Sequence, residues 1–567
     1  MKRVFPFMGA ISLIAALCLP SCQAVSSNET DDVVYLNVYN SADYINEEAD
    51  YYEENPLSGN AGLLAEFERY CQEEYGTTVI VNYSTFDTNE TMLSELKTGK
   101  ASYDLVCPSD YVIQKMIRED MIEPFDEGST PNYDQYVSPF VYEKMSEIEI
   151  NGEKGLVNDY ARGYMWGTLG LLYNNNLTTL STKKFSITPE EMDEDMTDWA
   201  SLWDDKYHNL LSIKDSVRDT YAAGILYTYT DDFQLDGKEF EGLATLKEKH
   251  DDGTYDDDTY NKKVTEIFNM CDDITLNRVG DNLKKLKENS FGFEVDSGKT
   301  DMIVGNKFAI NLAWSGDAAY SMDNLDEFIE SGTIEGEEVD TTTTNYANLK
   351  YVLPETGANI WFDGWVMPKG ANKVWASRFV DFFSTPEYTA ENMEYIGYTP
   401  VIAGDAILDL VQSWYDERYV EEEVDDEGNV IVEGGMDYDA LDKDNPEFEE
   451  EYYTKDISYF FEGTLEEKEE RDCEFYLSLE SQGKQFDTQY PDKDILPRLA
   501  VMADFGGQNA SMLLMWESVK NTVLPTWFYI VVAAGVLVVA GFIVSYYVRK
   551  AVVKNRRKAR KEARKQA

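Results

Sequence analysis

The stretch "VVYLNVYN" (Val33–Asn40) begins the pattern that decides the fold class. Its alternation of β-branched or aromatic residues with polar ones predicts a strand. An amphipathic helix, "AGLLAEFERYCQEEYG", follows and ends near Gly76, and "TTVIVNYST" predicts the next strand. The helix "TNETMLSELKTGK", which has a capping-type start, and the strand "YDLVCPSD" then repeat the pattern. Strands and helices that alternate at this spacing are typical of βαβ units, so we predict an α/β fold with a parallel sheet here.

The length and the charge of the chain limit its class. Its 567 residues are too many for a single core of ordinary size, so two or more lobes are expected. Asp and Glu number 107 against 49 Lys and Arg, a net charge of −58, which argues against nucleic acid as a partner. The two histidines, His208 and His250, lie far apart, and neither has a neighbourhood typical of a metal site or a catalytic triad. We therefore predict no catalytic residue, no metal site and no cofactor.

The amino-terminal segment resembles the leader of a lipoprotein. Lys2 and Arg3 precede a short apolar run, and Leu19, Pro20 and Ser21 precede Cys22. The pattern predicts a signal peptide over residues 1–22 and a lipid on Cys22, although Pro20 is an unusual insertion in such a motif. An uncleaved signal anchor is the alternative.

The other end contains "TWFYIVVAAGVLVVAGFIVSYYV" (Thr526–Val548), which is 23 residues without a charge. Such a run is long enough to span a bilayer as a helix, and aromatic residues stand at both of its ends. The tail 549–567 holds ten Lys or Arg and one Glu. The positive-inside rule places this tail in the cytoplasm and the rest of the chain on the extracytoplasmic face, in the periplasm or outside the cell. A nucleic-acid-binding tail is the alternative.

Two stretches are interpreted as insertions. Residues around 232–290 are charged and helix-like, and Tyr419–Tyr453 is very acidic and is expected to form a hairpin or loop at the surface. The second could be a solvated face or could collect polyvalent cations. Outside the leader, the spacing of the cysteines fits no zinc motif, and no disulfide pairing follows from it: Cys71, Cys107, Cys271 and Cys473.

The stretch "ANIWFDGWVMPKG" (Ala358–Gly370) raises a question about charge. Asp363 lies between two tryptophans in an otherwise apolar run, where a carboxylate is costly to bury unless a cation meets it. That cation could be an Arg or Lys of the chain itself, or it could belong to a ligand. The run alone leaves both alternatives open.

Seven motifs then occur in one order between roughly residues 33 and 520, outside the two insertions. They are "VYNSADYI", "YDLVCPSDYVIQKMIREDMIEPFD", "MWGTLGLLYN", "DSVRDTY", "LAWSGDAAY", "WFDGWVMPKGA" and "IGYTPV". In this order they resemble the spermidine/putrescine substrate-binding proteins of ABC importers. The resemblance implies two α/β lobes joined at a hinge, with a polyamine ligand bound in the central cleft. One lobe would comprise residues 32–158 and 363–405, and the other residues 160–361 and 406–520.

The resemblance also implies a set of ligand-binding residues. Asp363 would meet a ligand amine, and Trp361 would form an aromatic wall beside it. Asp43 occupies the family's glutamate position with a side chain one methylene shorter. The remaining positions that match the family's motifs are Tyr44, Ser109, Tyr111, Asp219, Trp314 and Tyr398.

Three positions depart from the family's pattern. Ser41 stands where many members have a tryptophan, Ser216 where some have a second aspartate, and Met502 where some have a glutamine. Fewer carboxylates would weaken the contact to a third amine, so the choice between putrescine, spermidine and another cationic amine stays open at this point.

The main prediction is a binding component that captures polyamines and delivers them to a membrane permease, with ATP hydrolysis by a separate subunit and no catalysis of its own. A membrane-tethered sensor of the same ligand is one alternative, because a second anchor is unusual for a lipoprotein. An extracellular hydrolase that uses paired carboxylates is another, because acidic, aromatic clefts also suit sugars.

Overall fold

The computed structural model describes residues 33–48, 52–99, 102–180, 186–294, 297–305, 307–334, 337–338, 345–424, 430–432, 434–438, 440–441, 448–466, 471–521, 550 and 554. The predicted leader with Cys22, the predicted membrane helix at 526–548 and almost all of the basic tail lie outside these residues. Among the helices that are described, none combines the length and the apolar character needed to cross a bilayer. The chain divides into two compact units, Met1–Met515 and Trp516–Ala567.

The strands are β1 (Val34–Ser41), β2 (Val79–Phe86), β3 (Leu105–Val106), β4 (Ile122–Glu123), β5 (Glu149–Ile150), β6 (Glu153–Lys154), β7 (Ala161–Asn174), β8 (Leu211–Lys214), β9 (Phe233–Leu235), β10 (Lys238–Phe240), β11 (Gly292–Glu294), β12 (Ile310–Trp314), β13 (Thr333–Ile334), β14 (Glu337–Glu338), β15 (Leu349–Val352), β16 (Ala358–Pro368), β17 (Tyr419–Val420), β18 (Glu423–Val424), β19 (Val430–Val432), β20 (Gly435–Met436), β21 (Tyr452–Asp456), β22 (Glu474–Ser478) and β23 (Leu499–Ala500).

The α-helices are α1 (Gly62–Tyr75), α2 (Asn89–Thr98), α3 (Asp110–Arg118), α4 (Pro131–Tyr136), α5 (Pro139–Glu147), α6 (Leu156–Tyr160), α7 (Pro189–Asp195), α8 (Val217–Thr228), α9 (Leu243–Asp251), α10 (Asp257–Phe268), α11 (Asp273–Asn289), α12 (Ser297–Val304), α13 (Ser315–Ser331), α14 (Lys373–Phe382), α15 (Pro386–Ile396), α16 (Asp405–Tyr415), α17 (Phe448–Glu451), α18 (Ser458–Phe461), α19 (Gln485–Gln489) and α20 (Asn509–Lys520).

The predicted βαβ start is confirmed. β1 pairs in parallel with both β2 and β3, and α1 ends at Gly76, whose φ of 64° is the left-handed conformation that glycine adopts most easily. The capping-type start of α2 is also confirmed, because the Thr88 side chain accepts a hydrogen bond from the N–H of Thr91.

The described residues form one mixed sheet of 11 strands, with the main order β11-β8-β12-β7-β16-β3-β1-β2. Parallel pairing at its two ends gives way to antiparallel pairing in the middle, where β7 and β16 lie side by side. Along this main order the sheet is therefore parallel only at its ends, because the two central strands run in opposite directions; off this order, β23 pairs in parallel with β16.

The strands β7 and β16 connect two sides of this sheet. β1, β2, β3 and β4 lie on the side reached by the carboxyl end of β16. On the other side, β12 and β15 pair with the carboxyl-terminal part of β7, and β8 and β11 continue from β12. Two sets of strands joined by two long crossing strands form the two-lobe α/β fold that the resemblance implies.

A buried apolar cluster fixes the first side. It contains Leu36 and Val38 of β1, Phe67 of α1, Trp365 of β16 and Phe379 of α14. The segment after β16 therefore packs with the amino-terminal strands, from which it is separated by more than 300 residues in the sequence. The precise ends of the two lobes stay a prediction.

The two inserted stretches have their own local structure. The first contains the β9–β10 hairpin and helices α9, α10 and α11. Within the described part of the second, short antiparallel pairs join β17 to β20 and β18 to β19, so the expected hairpin is present.

Candidate functional site

Asp363 lies at an irregularity in the central pair of strands. The register pairs Asp363 with Met165 but Gly364 with Gly163, so Tyr164 of β7 is an extra residue. Such a β-bulge bends the strand and changes the direction of nearby side chains. Ser109, just before α3, forms an isolated bridge with Asp363. The carboxylate is therefore held where β16 passes from one side of the sheet to the other.

The hydrogen-bond partners of Asp363 are hydroxyl groups. The Tyr44 O–H donates to Asp363 Oδ2 at 2.9 Å, and the Ser109 hydroxyl is a second partner. Burial raises the pKa of Asp363, and these two hydrogen bonds partly oppose the rise. Within the described part of the chain, no Lys or Arg nitrogen lies within 4.0 Å of this carboxylate. An internal salt bridge, one of the two alternatives left by the sequence, is therefore not found there.

Tyr44, whose hydroxyl donates to this carboxylate, belongs to a group of three aromatic rings. The rings of Tyr44 and Tyr398 meet edge to face, with centroids 5.6 Å apart, and Trp361 lies 6.1 Å from Tyr398. Glycines make the packing possible. A Cβ on Gly167 would lie 2.6 Å from Trp361 Cζ2, and one on Gly316 would lie 2.4 Å from Tyr398 Cε1. We call Tyr44, Ser109, Trp361, Asp363 and Tyr398 the Asp363 cluster.

Asp219 and Trp314 form a second group on the other side of the sheet. The Trp314 Nε1–H donates to Asp219 Oδ1 at 3.1 Å, and Ser216 caps the helix α8 in which Asp219 occupies the first turn. Burial raises the pKa of Asp219, while hydrogen bonds from Ser216 and Trp314 and the charges of Lys214 and Arg218 lower it. This Asp219 pair thus also presents a carboxylate and an indole ring.

Tyr111 has contacts that its motif did not predict. The Arg218 guanidinium lies 4.0 Å from the centre of the Tyr111 ring, and the Tyr111 hydroxyl donates to Glu90 Oε1 at 3.2 Å. One face of this predicted ligand-binding residue is therefore covered by a cation of the chain itself.

Asp43 lies apart from the Asp363 cluster. It is exposed in the turn after β1, has a left-handed φ of 53°, and its negative charge contributes to a raised pKa at Glu47. The next residue, Tyr44, is buried, and its carbonyl accepts a hydrogen bond from the Tyr164 O–H at 2.5 Å. A ligand role for Asp43 stays a prediction.

The positions that depart from the family's pattern have structural roles here. Ser216 caps α8, as described above. Met502 is buried, and its carbonyl accepts a hydrogen bond from Gln114 Nε2 at 3.0 Å.

Asp110 is a nearby carboxylate that the sequence interpretation missed. It lies between Ser109 and Tyr111 and is only 4 % exposed. The N–H of Phe362 donates to its Oδ2 at 3.3 Å. Burial, together with the charge of Asp363, raises the pKa of Asp110 to about 8. An acidic residue in the first turn of a helix is common at solvent-exposed starts, so the motif gave no signal of its burial.

A buried ion pair was missed as well. Lys214 Nζ lies 2.7 Å from Asp317 Oδ2, and both side chains are almost fully buried. The same ammonium lies 4.1 Å from the centre of the Trp314 ring, and the Tyr398 hydroxyl donates to Asp317 Oδ1 at 3.2 Å. A lysine at the end of the apolar run "LLSIK" was the available signal.

The model of the family described as bacterial extracellular solute-binding protein matches residues 63–414, more than half of the chain. The chain belongs to this family.

Several relatives carry names that refer to polyamines. This solute-binding protein is 25% identical to the spermidine/putrescine-binding periplasmic protein of Escherichia coli over 387 residues, which cover 68% of this chain and 82% of the relative. It is 25% identical to the putrescine-binding periplasmic protein SpuD of Pseudomonas aeruginosa, with coverage of 67% and 81%. A solved structure, the spermidine/putrescine ABC transporter substrate-binding protein PotD of Streptococcus pneumoniae, matches 86% of this chain and 100% of its own, with 22% identity and a TM-score of 0.46.

Proposed function

We propose that this solute-binding protein captures a polyamine, putrescine or spermidine, and delivers it to the permease of an ABC importer. The observation that carries the proposal is the Asp363 carboxylate, which has hydroxyl partners, one of them from a group of three packed aromatic side chains, but no Lys or Arg within 4.0 Å among the described residues. The names of the curated relatives support the same ligand class.

The chemistry of a polyamine fits these groups. Each ammonium has N–H donors and no acceptor, so it requires carboxylate or hydroxyl oxygens, which Asp363, Asp219 and Ser109 offer. The methylene groups between the ammoniums require flat apolar walls. Aromatic faces such as those of Trp361 and Tyr398 provide such walls and also attract the cations.

The proposal places the binding domain on the extracytoplasmic face of the membrane. A lipid on Cys22 and a helix at 526–548 would anchor it, with the basic tail 549–567 in the cytoplasm. The ATPase would be a separate subunit, and the proposed cycle contains no catalytic step by this chain.

The ligand is tested by calorimetry on the purified chain in detergent. The panel is putrescine, spermidine, spermine and a set of oligosaccharides. Saturable binding of a polyamine, with no heat from the sugars, is the expected result. If an oligosaccharide binds and no polyamine does, the proposal is overturned and the hydrolase alternative is favoured.

The anchors are tested separately. Metabolic labelling with a fatty-acid probe should be lost in Cys22→Ala, and equal labelling of the variant would show that Cys22 is not the acceptor. Protease added to intact cells or spheroplasts should remove the acidic segment 419–453 and spare the tail. Labelling of the tail from outside would overturn the proposed orientation.

A further inference from the structure

We propose that Lys214 is a specificity-determining residue whose ammonium occupies a cation position in the binding cleft. The inference rests on the proposed function and names the ligand more closely: the chain prefers a diamine over a triamine. It is based on the Lys214–Asp317 ion pair and on the position of that pair between the Asp363 cluster and the Asp219 pair.

The surroundings of the Lys214 ammonium are those that a ligand ammonium requires. It has a carboxylate at 2.7 Å and an indole face at 4.1 Å from the ring centre. Asp317 accepts a hydrogen bond from the hydroxyl of Tyr398, a member of the Asp363 cluster. The indole N–H of Trp314 donates a hydrogen bond to Asp219. Both groups that hold Lys214 thus contact residues predicted to bind the ligand.

Asp317 is therefore already neutralised. Lys299 Nζ lies 3.7 Å from its Oδ1, so two ammonium groups share one carboxylate. One face of Trp314 is also in use. A third ligand ammonium near Trp314 could pair neither with Asp317, which already binds two ammonium groups, nor with the indole face that Lys214 covers. It would also be repelled by the fixed charge of Lys214.

A further cation strengthens this effect on the same side. The charges of Lys214 and Arg218 both act on Asp219, the carboxylate of the Asp219 pair. A diamine can place one ammonium at Asp363 and one at Asp219. A triamine must place its additional charge among these resident cations, and the repulsion lowers its affinity.

The test compares the spermidine-to-putrescine affinity ratio in variants of the full chain, measured by calorimetry in detergent. In Lys214→Met, the ligand's own ammonium can replace the one removed, so the ratio should rise about tenfold or more in favour of spermidine. Lys214→Gln removes the charge and keeps a donor for Asp317. It should shift the ratio in the same direction and covers the case in which Lys214→Met does not fold.

The double variant Lys214→Met with Asp317→Asn removes the vacated carboxylate as well, so the ratio should return towards that of the natural chain. Lys350→Gln, at an ion pair with Asp193 outside both ligand groups, is the matched control and should leave the ratio unchanged.

Two results would overturn the inference alone: a ratio within about twofold of the natural chain in both single variants, or the same gain in the double variant as in Lys214→Met. Failure of the natural chain to bind either amine would instead overturn the proposed function, and this inference with it.

Discussion

Asp363 and Asp317 are two carboxylates linked through the same tyrosine, yet their partners differ. The Tyr398 hydroxyl donates to Asp317, and the Tyr398 ring packs against Tyr44, whose hydroxyl donates to Asp363. Asp317 has the Lys214 ammonium at 2.7 Å, whereas Asp363 has hydroxyl partners and no lysine or arginine within 4.0 Å in the described chain. The difference is that Asp317 is neutralised by an ammonium of the chain itself, whereas Asp363 is the carboxylate that we propose meets a ligand ammonium.

The largest expected effect is on stability, at Asp317. Asp317→Asn leaves the Lys214 ammonium buried without its nearest counter-charge, which costs about 3–5 kcal/mol. The free energy of unfolding, measured with urea, should fall by that amount. Asp301→Asn, at the more exposed pair with Lys307, is the control and should cost less than about 1 kcal/mol. Equal losses of stability in Asp317→Asn and Asp301→Asn would contradict a structural role for Asp317, and with it the contrast between Asp317 and Asp363.

Asp363→Asn should change polyamine affinity rather than stability, the reverse of Asp317→Asn. It keeps the shape of the side chain and removes the charge that would meet a ligand ammonium, a loss of about 2–5 kcal/mol. Polyamine affinity in calorimetry should therefore fall roughly 30-fold or more, while the free energy of unfolding changes by less than about 1 kcal/mol. A clear loss of stability with unchanged affinity would instead make Asp363 a structural residue like Asp317.

Asp110 should make the free energy of unfolding depend on pH. Its ordinary pKa of 3.8 applies to the unfolded chain, and burial raises the pKa to about 8 in the fold. Between these values the folded chain holds a proton that the unfolded chain has released. This residue therefore lowers the free energy of unfolding as pH rises, by up to about 1.4 kcal/mol per pH unit.

Asp110→Asn removes this titration and keeps an oxygen for the Phe362 N–H. Urea unfolding of both proteins between pH 5 and pH 7 should show that the natural chain loses stability with pH relative to the variant. Parallel pH profiles would mean that Asp110 ionises normally.

The smallest effect is expected at the aromatic wall. Trp361→Leu keeps an apolar side chain and removes the flat face, so a cation–π contribution of about 0.5–2 kcal/mol is lost. Polyamine affinity should fall about 2- to 30-fold. Trp203→Leu, where the indole stacks on Tyr227 with centroids 3.9 Å apart, is the control and should not change affinity. An unchanged affinity in Trp361→Leu would assign the indole to packing alone.

Local patterns predicted the first elements correctly because their causes are local. The alternation in β1, the capping Thr88 of α2 and the glycine after α1 all act within a few residues. The motif order likewise named the five residues of the Asp363 cluster, whose role in ligand binding stays a prediction.

The missed residues depend on contacts between distant parts of the chain. Asp110 is buried because β16 passes beside it, with a hydrogen bond between residues 252 positions apart. Lys214 is buried because Asp317, 103 positions later, meets it. Neither partner can be assigned by spacing or periodicity, and a charged residue at a helix start or a strand end is usually exposed.

The crossing strands have a consequence for the order of events during synthesis. The Trp361 Nε1–H donates to the Thr168 carbonyl across 193 positions, and the β7–β16 ladder joins segments that leave the ribosome far apart in time. The amino-terminal strands cannot acquire their last neighbour until residue 368 has emerged, after most of the opposite side has been made. Contacts of such long range are slow to form. The nascent chain therefore stays incompletely folded for most of its translation.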